Sequence, residues 1–100
     1  MAFANKNKKN EGFEAVQLKL ADYPYQIKNT RALSDNVAVF TLDLGVGVSL
    51  YNVKLVDSKN GMFIAPAESK SGDKYYKNYG LYLDEDSTQL IIDEVTKALQ

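Results

Sequence analysis

One stretch of the chain, residues 70–79, combines aromatic rings with ammonium groups. Rings of this kind stack on unpaired bases while lysines neutralise the phosphates, so the stretch predicts a surface that binds nucleic acid. Its cations and rings are Lys70, Lys74, Tyr75, Tyr76, Lys77 and Tyr79. The sequence leaves open the alternative that these tyrosines are cross-strand packing pairs.

Alternation along a strand limits how many of these side chains can bind at once. Tyr75, Lys77 and Tyr79 would share one face of a strand, and Tyr76 would lie on the other. We therefore expect one face to bind and the other to pack inward, and the sequence does not say which.

A second candidate surface lies in the polar stretch around Pro24. Two tyrosines that flank a proline are hard to bury together, which favours exposure of both rings. The only arginine of the chain follows, and its guanidinium can stack on a base or bind a phosphate through two hydrogen bonds. The residues of this surface are Tyr23, Tyr25, Lys28 and Arg31. The alternative is a structural loop whose tyrosines cap the edge of a sheet.

Three further candidates lie on predicted strands. On a regular strand Tyr51 and Lys54 point to opposite faces, so we expect at most one of them to meet a ligand. Lys19 would extend the same basic track from the first strand.

Composition excludes several classes of function. The chain has 100 residues, enough for one domain with a core that needs no disulfide or metal. It has no cysteine and no histidine, which excludes thiol nucleophiles, Cys/His zinc sites and imidazole bases. The acidic trio 84–86 offers the oxygen ligands that magnesium prefers, but consecutive carboxylates do not converge without partners elsewhere. We therefore expect no metal site, no cofactor and no enzymatic activity.

Charge is distributed unevenly along the chain, although the net charge is only −1. Residues 1–83 hold eleven of the twelve basic and eight of the thirteen acidic residues, whereas residues 84–100 hold one basic and five acidic residues. Local fields rather than net charge steer polyanions, so this segregation permits a positive surface. Without a long apolar run or the apolar core of a signal peptide, we expect a cytoplasmic protein that does not bind membranes.

Apolar periodicity predicts strands over most of the chain. The turn chemistry of Asn60-Gly61 predicts a hairpin, and Gly45 with Gly47 predicts a tight turn or bulge. The apolar parity shifts within 48–56, which indicates a bulge or two covered faces. The expected strands are 14–20, 37–44, 48–56, 62–65 and 75–83. The expected loops are 23–35, as a loop or edge crossing, and 69–74, as a flexible loop.

The end of the chain predicts a helix. Asp86 and Gln89 have the spacing of a capping box, and apolar residues from Leu90 to Leu99 recur at helical spacing. Strands followed by one helix predict an α+β fold, mostly β, with a curved antiparallel sheet and one C-terminal helix. We interpret residues 1–12 as a flexible tail and residues 13–100 as a single nucleic-acid-binding domain.

Residues 36–99 resemble the stage V sporulation protein G (septation protein) family. The likeness rests on the strand ending Thr41-Leu42-Asp43, the segment LYNVKLVDSKNGMFIAP at 50–66, and Gly72-Asp73 before an aromatic strand and a short helix. The part NGMFIAP is similar to the family's Asn-Gly-Leu-Phe-Val-Ala-Met-Pro signature. The resemblance implies a small dimer that binds nucleic acid. Two departures argue against sequence-specific duplex binding: the family's basic run after the proline is here AESK at 67–70, and YPYQIKNTR at 23–31 is inserted.

The chain as a whole resembles the early-expressed single-stranded-DNA-binding proteins of small tailed phages of the lactococcal type. The shared features are the short length, the Asn/Lys-rich start and the lack of histidine and cysteine. This resemblance implies a dimer with a variant OB-like sheet or barrel that coats unpaired DNA during replication and recombination in the host cytoplasm. A recombination or replication protein is then an expected partner.

Three functions remain open from the sequence. The first is a single-stranded DNA-binding protein with low sequence specificity, and the second is a regulatory DNA- or RNA-binding dimer of the septation-protein type. The third is an adaptor that binds another protein through its apolar sheet and acidic helix. We expect a homodimer, because strands that are apolar on both faces have more surface than one short helix can cover.

Overall fold

The computed structural model describes residues 16–100, which form a short 3₁₀ helix, six strands and one α-helix. In chain order these are η1 (Leu20–Asp22), β1 (Gln26–Ala32), β2 (Val37–Asp43), β3 (Ser49–Ser58), β4 (Gly61–Ala65), β5 (Glu68–Ser71), β6 (Lys74–Lys77) and α1 (Glu85–Ala98). The fold is α+β and mostly β, as predicted. The tail expected over residues 1–12 lies outside the described residues.

The first four strands form an antiparallel sheet in the order β1-β2-β3-β4. The chain thus runs back and forth across the sheet, with β2 and β3 central and β1 and β4 at the edges. The prediction of a central strand over 37–44 is confirmed. Strands β5 and β6 form a separate two-stranded antiparallel sheet.

Helix α1 covers one face of the four-stranded sheet. Ala38, Phe40 and Leu42 alternate along β2 and are buried in one cluster with Ile91 and Val95 of the helix. Fully burying an aliphatic or aromatic side chain contributes about 1.5–3 kcal/mol, so this cluster is the main source of stability among the described residues.

The start of α1 is fixed by Asp84 rather than by Asp86. The Asp84 carboxylate accepts a hydrogen bond from the Ser87 backbone N–H at 2.9 Å, which satisfies one of the free donors of the first turn. Hydrogen bonds from Ser87 hold the pKa of Asp84 below its usual value. The Ser87 hydroxyl in turn accepts the backbone N–H of Leu20 at 2.8 Å. The capping box predicted at Asp86 and Gln89 is therefore wrong by two residues, and the true cap also docks η1 onto the helix.

Bulges interrupt two of the strand pairs. In β3 the register shifts between the pairs Leu42–Leu50 and Phe40–Val53, with Asn52 at a φ of 56°. This is the bulge that the apolar parity of residues 48–56 predicted. A second register shift, in β1, contains Asn29 at a φ of 55°.

The predicted hairpin at residues 57–61 is confirmed, because Ser58 pairs with Gly61 across a two-residue turn. The positive φ falls on Gly61, at 116°, rather than on Asn60. Such a geometry is that of a turn followed by a glycine bulge.

Two predictions at the start of the chain need correction. The strand expected over 14–20 is absent from its described part: Leu18 makes one isolated bridge with Leu83, and the chain then turns into η1 so that Leu20 is fully buried. The stretch 23–35, predicted as a loop or edge crossing, contains the edge strand β1. Pro24 lies just before this strand, where it interrupts no ladder hydrogen bond.

The region after Pro66 also differs from the prediction. Residues 69–74 are not a flexible loop, because Gly72, at a φ of 64°, permits the tight turn between β5 and β6. The last strand ends at Lys77 rather than at residue 83. Within residues 16–100, no helix is long and apolar enough to cross a membrane.

Candidate nucleic-acid interface

The four-stranded sheet has a second face, turned away from α1, which we call the open face. Its position follows from the pairing, since Arg31 of β1, Val39 of β2 and Lys54 of β3 are successive cross-strand partners. Val39 alternates with the core residues Ala38 and Phe40, so this row points to the side opposite the core. Val39 and Thr41 are themselves buried, so the charged groups of the open face lie on β1 and β3, on either side of β2. Lys28 belongs to the same face, because it pairs with Thr41.

The bulge in β3 brings Tyr51 and Lys54 to the same face. Leu50 and Val53 both pair with core residues of β2, although three positions separate them. The residue after each, Tyr51 and Lys54, therefore points to the open face. The expectation that these two side chains lie on opposite faces is wrong, because it assumed an unbroken alternation.

Ion pairs occupy two of the three cations on the open face. Lys28 Nζ lies 2.9 Å from Asp43 Oδ2, and Lys54 Nζ lies 3.2 Å from Glu68 Oε1. Among the described residues Arg31 makes no ion pair. Exposed ion pairs contribute only about 0–1 kcal/mol, so these lysines can exchange a carboxylate for a phosphate at small cost.

The Asp43 carboxylate organises one end of the open face. The hydrogen bond from Lys28 holds its pKa below the usual value, and the Gly45 backbone N–H, at 2.8 Å, acts in the same direction. Asp43 is therefore ionised at neutral pH, and Lys28 is less available to a ligand than Arg31.

A cleft of about 370 Å³ lies where the open face meets the base of the β5–β6 hairpin. The sheet contributes Arg31 and Lys54 to its lining, and the hairpin base contributes Ser69 and Asn78. The Ser69 hydroxyl donates to the Asn78 side-chain oxygen at 2.8 Å. The cleft thus combines cationic donors with amide and hydroxyl groups, the usual partners of phosphate and sugar oxygens. It also contains the Glu68 carboxylate that pairs with Lys54.

The β5–β6 hairpin, residues 68–77, forms an arm beyond the sheet. All eight of its strand residues are exposed. Tyr75 retains 64% and Tyr76 54% of its accessible surface. An isolated two-stranded hairpin is only marginally stable in water, so the exposure of two aromatic rings on it calls for a functional explanation.

Each face of the arm presents one tyrosine beside lysine. Tyr75 pairs with Lys70, whose Nζ lies 5.8 Å from the centre of the ring, and shares its face with Lys77. Tyr76 pairs with Ser69 and shares its face with Lys74. The expectation that one face packs inward is wrong, because the chain folds back at Gly72 and leaves both faces exposed.

Tyr79 anchors the arm instead of extending its surface. Its hydroxyl donates to the Tyr51 carbonyl at 3.0 Å and accepts the Ala67 backbone N–H at 3.2 Å. Its ring is half-buried against the core cluster. Tyr79 therefore differs from the exposed Tyr75 and Tyr76. Little of its ring surface is free for the base stacking that the sequence predicted.

Tyr23 and Tyr25 are half-buried on the side of α1, so the expectation of their exposure is wrong. The Tyr25 hydroxyl donates to Glu94 Oε1 at 2.9 Å, and burial, followed by this bond, raises the pKa of Tyr25. Gly45, at a φ of 77°, allows Pro24 to pack closely, since a Cβ there would overlap the Pro24 carbonyl. The second candidate surface is therefore divided, with its tyrosines near the core and Lys28 and Arg31 on the open face.

Lys19 does not extend the basic track of the open face. It precedes η1 and is exposed near the start of α1, where its charge helps to lower the pKa of Asp84. It therefore belongs to the helix side of the sheet.

One residue of the open face was missed by sequence reasoning. Phe63 of β4 pairs with Val56 of β3 and retains 48% of its accessible surface. It offers a second kind of stacking platform beside Lys54. The signal was present in the sequence, because β4 follows directly from the Asn60-Gly61 turn. Its alternation places Phe63 on the face opposite Ile64, which packs half-buried against the core cluster.

The acidic residues of the C-terminal region lie away from these cations. Helix α1 and its cap carry all five of them, and the helix packs on the covered face. The charge segregation of the sequence thus becomes a separation between two sides of the sheet. Within the described part of the chain, no group of three or more carboxylates is arranged to hold a metal ion.

Comparison of the chain with models of known protein families, with characterised proteins and with solved structures finds no match. The open face and the arm are therefore the features from which we infer a function.

Proposed function

We propose that this protein binds single-stranded DNA with low sequence specificity and has no enzymatic activity. The observation that carries the proposal is the arm, whose two exposed tyrosines lie on opposite faces, each beside lysine. Stacking on a ring accepts any base, because every base has a π-face, whereas ammonium groups bind the phosphates that all sequences share.

The open face supports the same proposal and gives the strand a path. A strand stacked on the arm can continue across the cleft at its base, past Arg31 and Lys54. Tyr51 and Phe63 provide exposed rings on that face. The geometry favours unpaired over duplex nucleic acid, since a duplex keeps its bases stacked inside and offers no π-face to these rings.

The biological role follows from the resemblance to the phage proteins. We propose that the protein coats unpaired DNA during replication and recombination in the host cytoplasm, acts as a homodimer and cooperates with a recombination or replication protein. The regulatory dimer of the septation-protein type and the adaptor are the competing functions that the experiment below must separate.

The test is a fluorescence-anisotropy titration of a labelled poly-dT oligonucleotide at several salt concentrations. Duplex DNA and single-stranded RNA of matched length serve as competitors. We expect saturable binding that the duplex competes poorly, with log K falling against log salt by about 0.7 for each phosphate contacted.

Each competing function predicts a different outcome. Equal affinity for duplex and single strand contradicts the proposal, and a strong preference for one duplex or RNA sequence favours the regulatory dimer. No binding at low salt contradicts both nucleic-acid functions and leaves the adaptor.

A further inference from the structure

The two edges of the four-stranded sheet are unlike in chemistry. Edge strand β1 carries Lys28 and Arg31 and is broken by a bulge at Asn29. Edge strand β4 has the sequence GMFIA, with no charge, no proline and no bulge in its pairing with β3. Natural proteins protect free edges with lysine, proline or bulges, so β1 is protected and β4 is not.

The outer side of β4 is open among the described residues. It is the last strand of the sheet order, and every second residue of an edge strand directs its N–H and C=O groups away from the sheet. A cleft of about 400 Å³ runs along it, lined by Met62, Phe63 and Ile64 on one side and by Tyr82 and Leu83 on the other. Met62 retains 41% and Phe63 48% of its accessible surface.

We infer that β4 is a dimer interface, where it pairs antiparallel with β4 of a second copy of this chain. A strand that pairs antiparallel with itself about a two-fold axis brings the residue on the axis opposite its own counterpart, and a strand without charges meets no like-charge repulsion in doing so. Phe63, the middle residue of β4, would lie opposite its counterpart, and the walls of the cleft would supply apolar contact beside the new ladder.

The symmetry of this pairing gives it a functional consequence, which rests on the proposed function. The two-fold axis of two antiparallel edge strands in one sheet is perpendicular to that sheet. The open faces of both copies therefore point to the same side and join into one eight-stranded surface. A single DNA strand could then pass from one copy to the other without changing sides.

The test is the oligomeric state of the full chain, measured by sedimentation equilibrium without DNA. We expect the wild type to have twice the chain mass of 11.2 kDa. Phe63→Lys and Phe63→Glu should each weaken association at least about tenfold, because like charges then face each other across the axis. An equimolar mixture of the two variants should restore the dimer, which excludes misfolding as the cause. The control Val46→Lys changes a side chain of similar exposure, 57%, in the turn between β2 and β3, and should leave the dimer intact.

Two results would overturn the inference. One is a monomeric wild type at about 100 μM, which would leave the edge to a strand from another protein. The other is a dimer that survives Phe63→Lys unchanged. The proposed function is tested separately, since a monomer that binds poly-dT contradicts only the interface, and a dimer that fails to bind it contradicts only the function.

Discussion

The two faces of one sheet show how the same strands carry both stability and a candidate binding surface. On the covered face, the core cluster buries Phe40 and Leu42 against α1 to 1% exposure or less. On the open face, the strands on either side of β2 carry Lys28, Arg31 and Lys54, whereas Val39 and Thr41 of β2 between them are buried. Substitutions on the two faces should therefore have separable effects. Those on the covered face should change stability, and those on the open face should change binding.

The largest effect is expected on the covered face. Phe40→Ala removes a ring that is 1% exposed at the centre of the core, and such truncations cost about 3–5 kcal/mol of unfolding free energy. Urea denaturation followed by circular dichroism measures this loss. A cost below about 1 kcal/mol would show that the cluster does not stabilise the fold, and the comparison between the faces would fail.

The next largest effect is expected on the arm and in binding alone. Tyr75→Ala and Tyr76→Ala should each weaken poly-dT binding by about 1–3 kcal/mol, the contribution of one stacked base. The free energy of unfolding should change by less than about 0.5 kcal/mol, because both rings are exposed. Anisotropy titration and urea denaturation of the same samples measure the two quantities.

Tyr82→Ala is the matched control for the arm. Tyr82 is 61% exposed, close to the 64% of Tyr75, but lies in the cleft beside β4. Because Tyr82 also lines the cleft proposed as the dimer interface, sedimentation equilibrium should first show that the variant is still a dimer; its affinity for poly-dT should then be unchanged. If Tyr82→Ala weakens binding as much as Tyr75→Ala does, exposure alone would explain the effect and the arm would have no special role.

Some of this architecture was predictable from the sequence, and the reasons are local. The central strand, the β3 bulge and the hairpin at Gly61 follow from apolar parity and turn chemistry, which are properties of neighbouring residues. The helix was predictable for the same reason, although its cap was placed at Asp86 from the spacing to Gln89, whereas Asp84 accepts the Ser87 N–H in the structure.

The candidate site was less predictable, because it depends on how distant segments meet. Which tyrosine rings remain exposed depends on hydrogen bonds that their hydroxyl groups donate, such as those from Tyr79 to the Tyr51 carbonyl and from Tyr25 to the Glu94 carboxylate. The faces of Tyr51 and Lys54 depend on where the bulge falls in register with β2. The sequence therefore identifies residue types that suit binding, but it does not predict which of them are exposed or lie close together.

A smaller effect is expected from Arg31, the open-face cation that makes no ion pair within residues 16–100. Arg31→Ala should make the slope of log K against log salt shallower by about 0.7, the value for one lost phosphate contact on a single strand. Lys97→Ala, at an exposed position in the last turn of α1 on the other side of the sheet, is the control and should leave the slope unchanged. Equal changes for both variants would mean that only the overall charge matters.

The smallest effect, and the most specific, should come from releasing Lys54 from its partner. Glu68→Gln removes the carboxylate 3.2 Å from Lys54 Nζ at the cleft between the open face and the arm. Because an exposed pair contributes only about 0–1 kcal/mol, stability should change little, while affinity for poly-dT should rise by up to about fivefold. The gain should shrink as salt increases, since the carboxylate repels phosphates through solvent. Glu85→Gln removes the same charge at the start of α1 and should raise affinity less. An equal gain from both variants would show that the strand does not pass beside Lys54, and the path across the open face would have to be abandoned.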